Sequence, residues 1–271
     1  MTDYKLLVLD VDGTLVNRKG AVSAADRAAL KKAAARGVRI SLSTGRVIQA
    51  CLKIIRELSL DGCHIFYDGA LVANLSTGEE LYARPISGAV VKDAVEFARA
   101  NDTYLELYST SHFFAEREHW SDDIHRRFFR VEPTFTDFSG IWERERIIKA
   151  ELVAHNAAEE VKVAEFQRHF GSRLRFSTAS TPAFPDVRFI NITDLGVSKG
   201  EALKALAARL GLGLGEVMAI GDGTNDIPLL EAAGLAVAMG NAPDEVKAVA
   251  DHITLDVDHS GVAAAVERFL L

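Results

Sequence analysis

The stretch that most constrains this chain is Leu6-Leu7-Val8-Leu9-Asp10-Val11-Asp12-Gly13-Thr14, a run of branched aliphatics that ends in two carboxylates and a glycine. A short apolar run closed by a turn signal reads as a strand buried on both faces, as in a parallel sheet covered by helices. The period of two turns Asp10 and Asp12 toward the same side, so two like charges meet at the edge of an apolar sheet. Such a pair calls for a cation. A hard divalent ion such as Mg²⁺ takes oxygen ligands, screens both charges, and leaves one carboxylate free to attack an anionic electrophile. Gly13 permits the sharp exit from the strand, and the Thr14 hydroxyl can tie the turn down.

The chain downstream repeats this texture. Ser23 with Asp26 three residues on opens a helix over 24–36, and a strand over 38–43 ends in Thr44-Gly45-Arg46. A helix over 47–58 follows, and a strand over 64–67 is closed by Asp68-Gly69. Strand, helix and strand in this order form a parallel crossover, and in open α/β sheets ligands bind beyond the strand C-termini. The texture changes after Arg84-Pro85. Strands over 104–108, 112–115, 147–154, 174–177 and 187–192 alternate with helices over 89–100, 122–129 and 156–169, the mark of a separate α+β module. The α/β pattern returns with a capping box at Ser198-Lys199-Gly200-Glu201 and a helix to 210. A strand over 217–220 then runs into Gly221-Asp222-Gly223-Thr224-Asn225-Asp226. A helix over 227–233, a strand over 235–238, a helix over 244–250, a strand over 252–254 and a helix over 261–270 complete the reading. The expectation is a doubly wound, Rossmann-like parallel sheet formed by residues 1–84 and 194–271, with an α+β insert at 85–193.

Charge narrows the partners. A net charge of −7 without a basic cluster argues against a nucleic-acid binder, whose affinity rests on neutralising phosphates, while a small phosphorylated molecule can be held by a local cation. Cys51 and Cys63 lack metal or redox spacing and read as reduced packing residues; none of the eight histidines forms a zinc spacing. No apolar run approaches the ~20 residues of a membrane span, and the start of the chain lacks a basic-then-apolar leader, so the expectation is a cytoplasmic chain without a membrane partner.

Four stretches thus share one address, the sheet's C-terminal edge or a helix start beside it: Asp10-Val11-Asp12-Gly13-Thr14, Ser43-Thr44-Gly45-Arg46, Lys199, and Gly221-Asp222-Gly223-Thr224-Asn225-Asp226. Together they supply a nucleophile, an acid/base, a metal site, hydroxyl and amide donors, and a cation, which is the equipment of phosphoryl transfer. In their order and spacing they resemble the haloacid dehalogenase superfamily, specifically its Cof-type phosphatases with a large C2-type (IIB) cap inserted after the third strand. The resemblance covers the whole chain. It implies that Asp10 attacks phosphorus to form an aspartyl-phosphate, and that Asp12 protonates the leaving alcohol and then activates water. It further implies that Thr44, the Gly45 amide, Lys199 and Asn225 hold the phosphoryl group. Mg²⁺ is implied on Asp10, the main-chain carbonyl of Asp12 and Asp222, with Asp226 beside them.

The implied substrate is a small phosphorylated metabolite, such as a sugar phosphate or a phosphorylated cofactor of the flavin mononucleotide or pyridoxal phosphate kind. A phosphomutase of the phosphomannomutase type and a non-catalytic metabolite sensor are the alternatives. This chain departs from the family in two places, with Asp68-Gly69 where Asn-Gly is common and Asn191 where an acidic residue is frequent. Tyr108, His112, Arg117, Arg188 and Asn191 are the inserted residues that could face a leaving group, or equally belong to the insert's core or surface.

Overall fold

The computed structural model of the protein describes residues 4–17, 19–181 and 184–271. Its centre is β1 (Leu6–Leu9), every residue of which is buried. It is followed by α1 (Ala24–Ala35), β2 (Arg39–Leu42), α2 (Ile48–Glu57) and β3 (Cys63–Phe66). β1 lies between β2 and a later strand in a parallel five-stranded sheet. The alternation within β1 explains the two layers. Leu7 and Leu9 join the apolar cluster that includes Leu30, Ile54 and Val266, whereas Leu6 and Val8 join one built with Leu203, Leu206 and Leu229. Truncating any of these strand leucines to alanine would cost about 2–5 kcal/mol.

The expected third strand needs a correction. Tyr67 does not extend it: Tyr67, Asp68 and Gly69 form a tight 3₁₀ turn in which all three residues have positive φ. β3 meets β2 through the parallel Ser43–Ile65 bridge and then starts an antiparallel meander with β4 (Leu71–Asn74) and β5 (Glu79–Ala83), two strands absent from the sequence reading. The chain leaves the core at Arg84, whose guanidinium Nε donates to Asp194 Oδ1 at 2.7 Å where the chain comes back.

Between these points lie α3 (Gly88–Ala100), β6 (Glu106–Tyr108), β7 (Phe113–Ala115), α4 (Asp122–Ile124), β8 (Thr134–Phe135), α5 (Ile141–Arg144), β9 (Lys149–Ala154), α6 (Ala157–Phe170), β10 (Leu174–Thr181) and β11 (Phe184–Asp194). Their sheet runs in the order β10-β11-β9-β6-β7-β8. One face, with Leu107, Ala150, Leu152, Ile190 and Ile192, buries against Val91 and Val95 of α3 and Phe166 and Phe170 of α6. The helix expected over 122–129 is only one turn of α-helix, which widens into a π-helical turn over His125–Phe129 and stops at Arg130 with φ 60°. A widened turn re-aims side chains, and here it carries His125, Phe128 and Phe129.

The core resumes with α7 (Lys199–Leu210), β12 (Val217–Gly221), α8 (Ile227–Ala232), β13 (Leu235–Ala238), α9 (Asp244–Lys247), β14 (His252–Ile253) and α10 (Gly261–Phe269), and the sheet order is β14-β13-β12-β1-β2. The fold is therefore the doubly wound α/β core with an inserted α+β cap. No helix among the described residues is long and apolar enough to cross a membrane.

Candidate active site

All five strands of the central sheet run parallel, so their C-terminal ends form one rim. Asp10 continues β1 by one ladder bond, its N–H donating to the Ile220 carbonyl at 2.9 Å. Gly13 turns the chain away with φ +85°, and a Cβ there would fall 2.3 Å from Asp222 Oδ2, so conformation and space both require glycine. Thr14 Oγ1 donates to Asp222 Oδ1 at 2.7 Å, and Asn241 Nδ2 donates to Asp222 Oδ2 at 3.1 Å and to the Gly13 carbonyl at 2.9 Å. The loops after β1 and β12 are thereby locked together.

Lys199 occupies the first turn of α7, whose N-cap Ser198 accepts from the Glu201 N–H. Its ammonium is fully buried and donates to Asp10 Oδ1 at 2.6 Å and Asp226 Oδ1 at 2.5 Å. The other oxygen of Asp226 accepts from the amides of Asp222 and Gly223 at 3.0 and 2.9 Å. Asp226 therefore shapes the loop as well as facing Lys199.

Charge in this cluster is unbalanced. One oxygen each from Asp10, Asp222 and Asp226 lies within 4.8 Å of the others. Burial, then repulsion from Asp226, holds the Asp10 carboxyl well above the usual carboxylate range, and the same two causes push Asp222 up to about 7. Burial alone would lower Lys199, but Asp10 and Asp226 reverse this and hold its ammonium above the ordinary lysine value. Two buried carboxylates and a half-buried third against one ammonium, with oxygen donors only, suit a hard divalent cation.

Asp12 is oriented elsewhere. Arg46 grips it with a two-pronged fork, Nε to Oδ2 at 2.7 Å and Nη2 to Oδ1 at 2.6 Å. The guanidinium lies 5.7 and 5.4 Å from the ring centres of Phe128 and Phe129, so a cap aromatic pair backs the fork. Burial opposes the charge on Arg46, but Asp12 outweighs it and raises its pKa. Thr44 is buried, with Oγ1 accepting from the Arg46 N–H at 3.1 Å. Asn225 Nδ2 donates to Asp68 Oδ1 at 2.9 Å.

Asp10, Asp12, Thr44, Gly45, Asn225 and Asp222 all line one cleft of about 360 Å³ between core and cap. The cap closes it with a polar band and an apolar wall. Lys149 Nζ donates to Glu151 Oε2 at 2.5 Å and Asn191 Oδ1 at 2.9 Å, while His125 Nε2 lies 3.2 Å from Glu106 Oε1 and Tyr108 Oη donates to Glu106 Oε2 at 2.6 Å. The cross-strand register aligns Ser177, Asn191, Glu151 and Glu106 in one row. Burial would neutralise Glu106, but His125 keeps it ionised below its ordinary value and is itself raised by Glu106. Phe129, Val131 and Phe189 supply the apolar wall.

The structure thus brings together Asp10, Asp12, Thr44, Gly45, Lys199, Asp222, Asn225 and Asp226. The Asp12 carboxylate sits on Arg46, outside the three-carboxylate cluster. Of the five cap residues named from sequence, Tyr108 and Asn191 line the cleft; His112, Arg117 and Arg188 are exposed, the arginines paired with Asp102 and Glu160. Sequence reasoning missed Arg46, Asn241, Lys149, Glu151 and His125. Arg46 was in view as the third residue of Thr-Gly-Arg. Lys149 and Glu151 alternate with apolar residues, a pattern that fits a solvated strand face equally well. The two departures from the family meet: Asn191 Nδ2 donates to Asp68 Oδ2 at 2.8 Å.

The family model described as haloacid dehalogenase-like hydrolase matches residues 7–266. The putative phosphatase YxeH of Bacillus subtilis is 31% identical to this chain, over 99% of each. The 5-amino-6-(5-phospho-D-ribitylamino)uracil phosphatase YcsE of the same organism is 27% identical over 99% of this chain and 97% of its own. Among solved structures, the HAD subclass IIB sugar phosphatase BT4131 superposes with a TM-score of 0.81 at 25% identity, covering 98% of this chain and 100% of its own.

Proposed function

The chain belongs to the haloacid dehalogenase-like hydrolases and is a Cof-type phosphatase, and from that premise we propose that it hydrolyses a small phosphorylated metabolite, a sugar phosphate or a phosphorylated cofactor, through an aspartyl-phosphate on Asp10. The observation that carries this reading is the Asp10–Lys199–Asp226 arrangement at the mouth of β1, where a nucleophilic carboxylate lies 2.6 Å from a buried ammonium. The Asp10 oxygen attacks phosphorus as the bond to the leaving alcohol breaks, and Asp12 gives that alcohol its proton. Asp12 then takes a proton from water, whose oxygen attacks the same phosphorus and frees phosphate and Asp10. Arg46 orients Asp12 for both transfers. Thr44, the Gly45 amide, Lys199 and Asn225 hold the phosphoryl oxygens.

Asp10, Asp222, Asp226 and the Asp12 carbonyl would hold Mg²⁺, which would supply the positive charge that the three carboxylates and a phosphoryl group need in common. Residues 85–193 act as the cap, which shields the first step from water and meets the leaving group. The named activities of YcsE and BT4131 support phosphorylated sugar-like compounds as the substrate class.

The test is phosphate release from sugar phosphates, nucleotides, flavin mononucleotide and pyridoxal phosphate, with and without Mg²⁺, in the native chain and Asp10→Asn. Release that requires both Mg²⁺ and Asp10 is the expected result. A folded, Mg²⁺-binding protein that releases phosphate from none of them would refute the reading.

A further inference from the structure

The turn that closes β3 carries a carboxylate for which the hydrolysis steps have no use. Tyr67, Asp68 and Gly69 have φ of 53°, 56° and 99°, and a Cβ on Gly69 would fall 2.3 Å from the Ser198 carbonyl, so the turn is seated on the N-terminus of the helix that bears Lys199. Asp68 is 6% exposed. Its Oδ1 accepts from Asn225 Nδ2 at 2.9 Å; its Oδ2 accepts from Asn191 Nδ2 at 2.8 Å and from Ser177 Oγ.

These donors come from two bodies. Asn225 belongs to the core loop after β12, and Ser177 and Asn191 face each other across β10 and β11 of the cap. Asn191 cannot turn freely, because its Oδ1 accepts from Lys149 Nζ, which leaves its NH₂ for Asp68. A Cβ on Gly45 would lie 3.0 Å from Asn191 Nδ2 and 3.1 Å from Asp68 Oδ1, so Thr44-Gly45, the cap and Asp68 converge on one point.

We propose that Asp68 is a positioning residue that makes cap docking and assembly of the phosphate site a single event, its one carboxylate holding Asn225 in place while it receives Ser177 and Asn191 from the cap. The proposal rests on the phosphatase reading for its kinetic consequences. With the cap swung away, Asp68 loses two of its three side-chain donors, and Asn225 is held by a carboxylate free to rotate. With the cap docked, the carboxylate is fixed by donors on both of its oxygens. A buried group with several donors locks one geometry, and the loss of one oxygen leaves donors facing donors.

The donor count gives a specific test. Asp68→Asn keeps shape and tolerates the left-handed backbone, but sets an NH₂ against the NH₂ of Asn191 or Asn225. In D68N/N191D the complement is rebuilt. The carboxylate introduced at position 191 accepts from Lys149 and from the amide introduced at position 68, the oxygen of that amide accepts from Asn225, and net charge is unchanged. The experiment measures, on the full chain, kcat and KM with Mg²⁺, inhibition by inorganic phosphate, and hydrogen exchange around residues 175–178 and 189–193 without substrate.

We expect D68N and N191D each to lower kcat/KM by about tenfold to hundredfold, the scale of one charge-assisted hydrogen bond, with weaker phosphate inhibition and faster exchange on the cap side. The double variant should return within about threefold of the native chain on all three readouts, since the donor count is restored. A D68N protein with native kinetics and exchange, or a double variant no better than the worse single one, overturns the proposal. A native chain that hydrolyses nothing defeats the phosphatase reading alone. In that case phosphate binding and exchange still decide, restoration in the double variant supporting the coupling and its absence overturning it.

Discussion

Replacing Lys199 by methionine tests the electrostatic core of the site. Methionine fills much of the buried lysine stem but removes the charge that meets Asp10 at 2.6 Å and Asp226 at 2.5 Å in a spot with no solvent access. Removing one partner of a buried ion pair costs about 3–5 kcal/mol, because the abandoned charge has neither water nor a counter-ion. Here two carboxylates are abandoned, with Asp222 close by. Asp10, which burial and Asp226 already hold above the usual carboxylate range, loses the Lys199 charge that opposes this and can retreat by holding its proton, its folded-state pKa rising further above the unfolded one. A group raised in this way adds stability below its folded pKa and loses it as pH climbs through that value, so the deficit should grow from pH 6 to pH 8.

Urea denaturation in chelator should therefore place K199M about 3–5 kcal/mol below the native chain at pH 7. Saturating Mg²⁺ should recover more than half of this, the metal replacing the missing charge. K199M/D226N should also recover part of it, since the amide oxygen introduced at position 226 can still accept from the Asp222 and Gly223 amides. In turnover, K199M should lose about 10²–10³ in kcat, as for one preorganised donor on a developing oxyanion. A metal-free variant within about 1 kcal/mol of native at pH 7 and pH 8 would refute Lys199 as the cluster's counter-ion, since the cited cost lies well above that.

Two further outcomes follow from the same geometry. Arg46→Lys keeps a charge near Asp12 but not the two-pronged fork; kcat/KM should fall about tenfold to hundredfold, and native kinetics would remove Arg46 from the reaction. His64 is buried, with Nδ1 accepting from the Leu42 N–H at 3.2 Å and Nε2 without a hydrogen-bond partner among the described residues, and burial pushes its pKa down from 6.5 to about 4. The unfolded chain therefore takes up a proton that the folded one refuses as pH falls from 6.5 to 4, which drains about 3 kcal/mol of stability across that window. Urea titrations at pH 7 and pH 4 should show this acid loss in the native chain and a smaller one in His64→Asn; equal losses would show that His64 is not responsible.

The placement of the rim residues was legible in the sequence because strand ends in a parallel sheet put acidic and glycine-rich turns at one edge whatever the rest of the chain does. Asp10, Lys199 and Asp222 could be named from the order and spacing of four short stretches taken together. The polar band of the cap could not. Glu106, Glu151 and Asn191 are aligned by cross-strand register, and register depends on strand pairings separated by long stretches of chain. The β4–β5 hairpin was missed for another reason: its turn, Asn74-Leu75-Ser76-Thr77-Gly78, includes an apolar residue, is held by Asn74 Oδ1 accepting from the Ser76 amide, and gives no two-residue glycine turn signal. Asp68 was seen as a departure; that it faces the other departure, Asn191, is a fact of three dimensions.

The ion pair between Arg84 and Asp194 has a consequence for ancestry and engineering. The outgoing and returning strands of the polypeptide pass side by side, and Gly196 leaves room for the Arg84 guanidinium between them. A core whose two severed ends are that close can be rejoined by a short linker, so the cap can be lost, gained or traded between proteins without disturbing the sheet beneath.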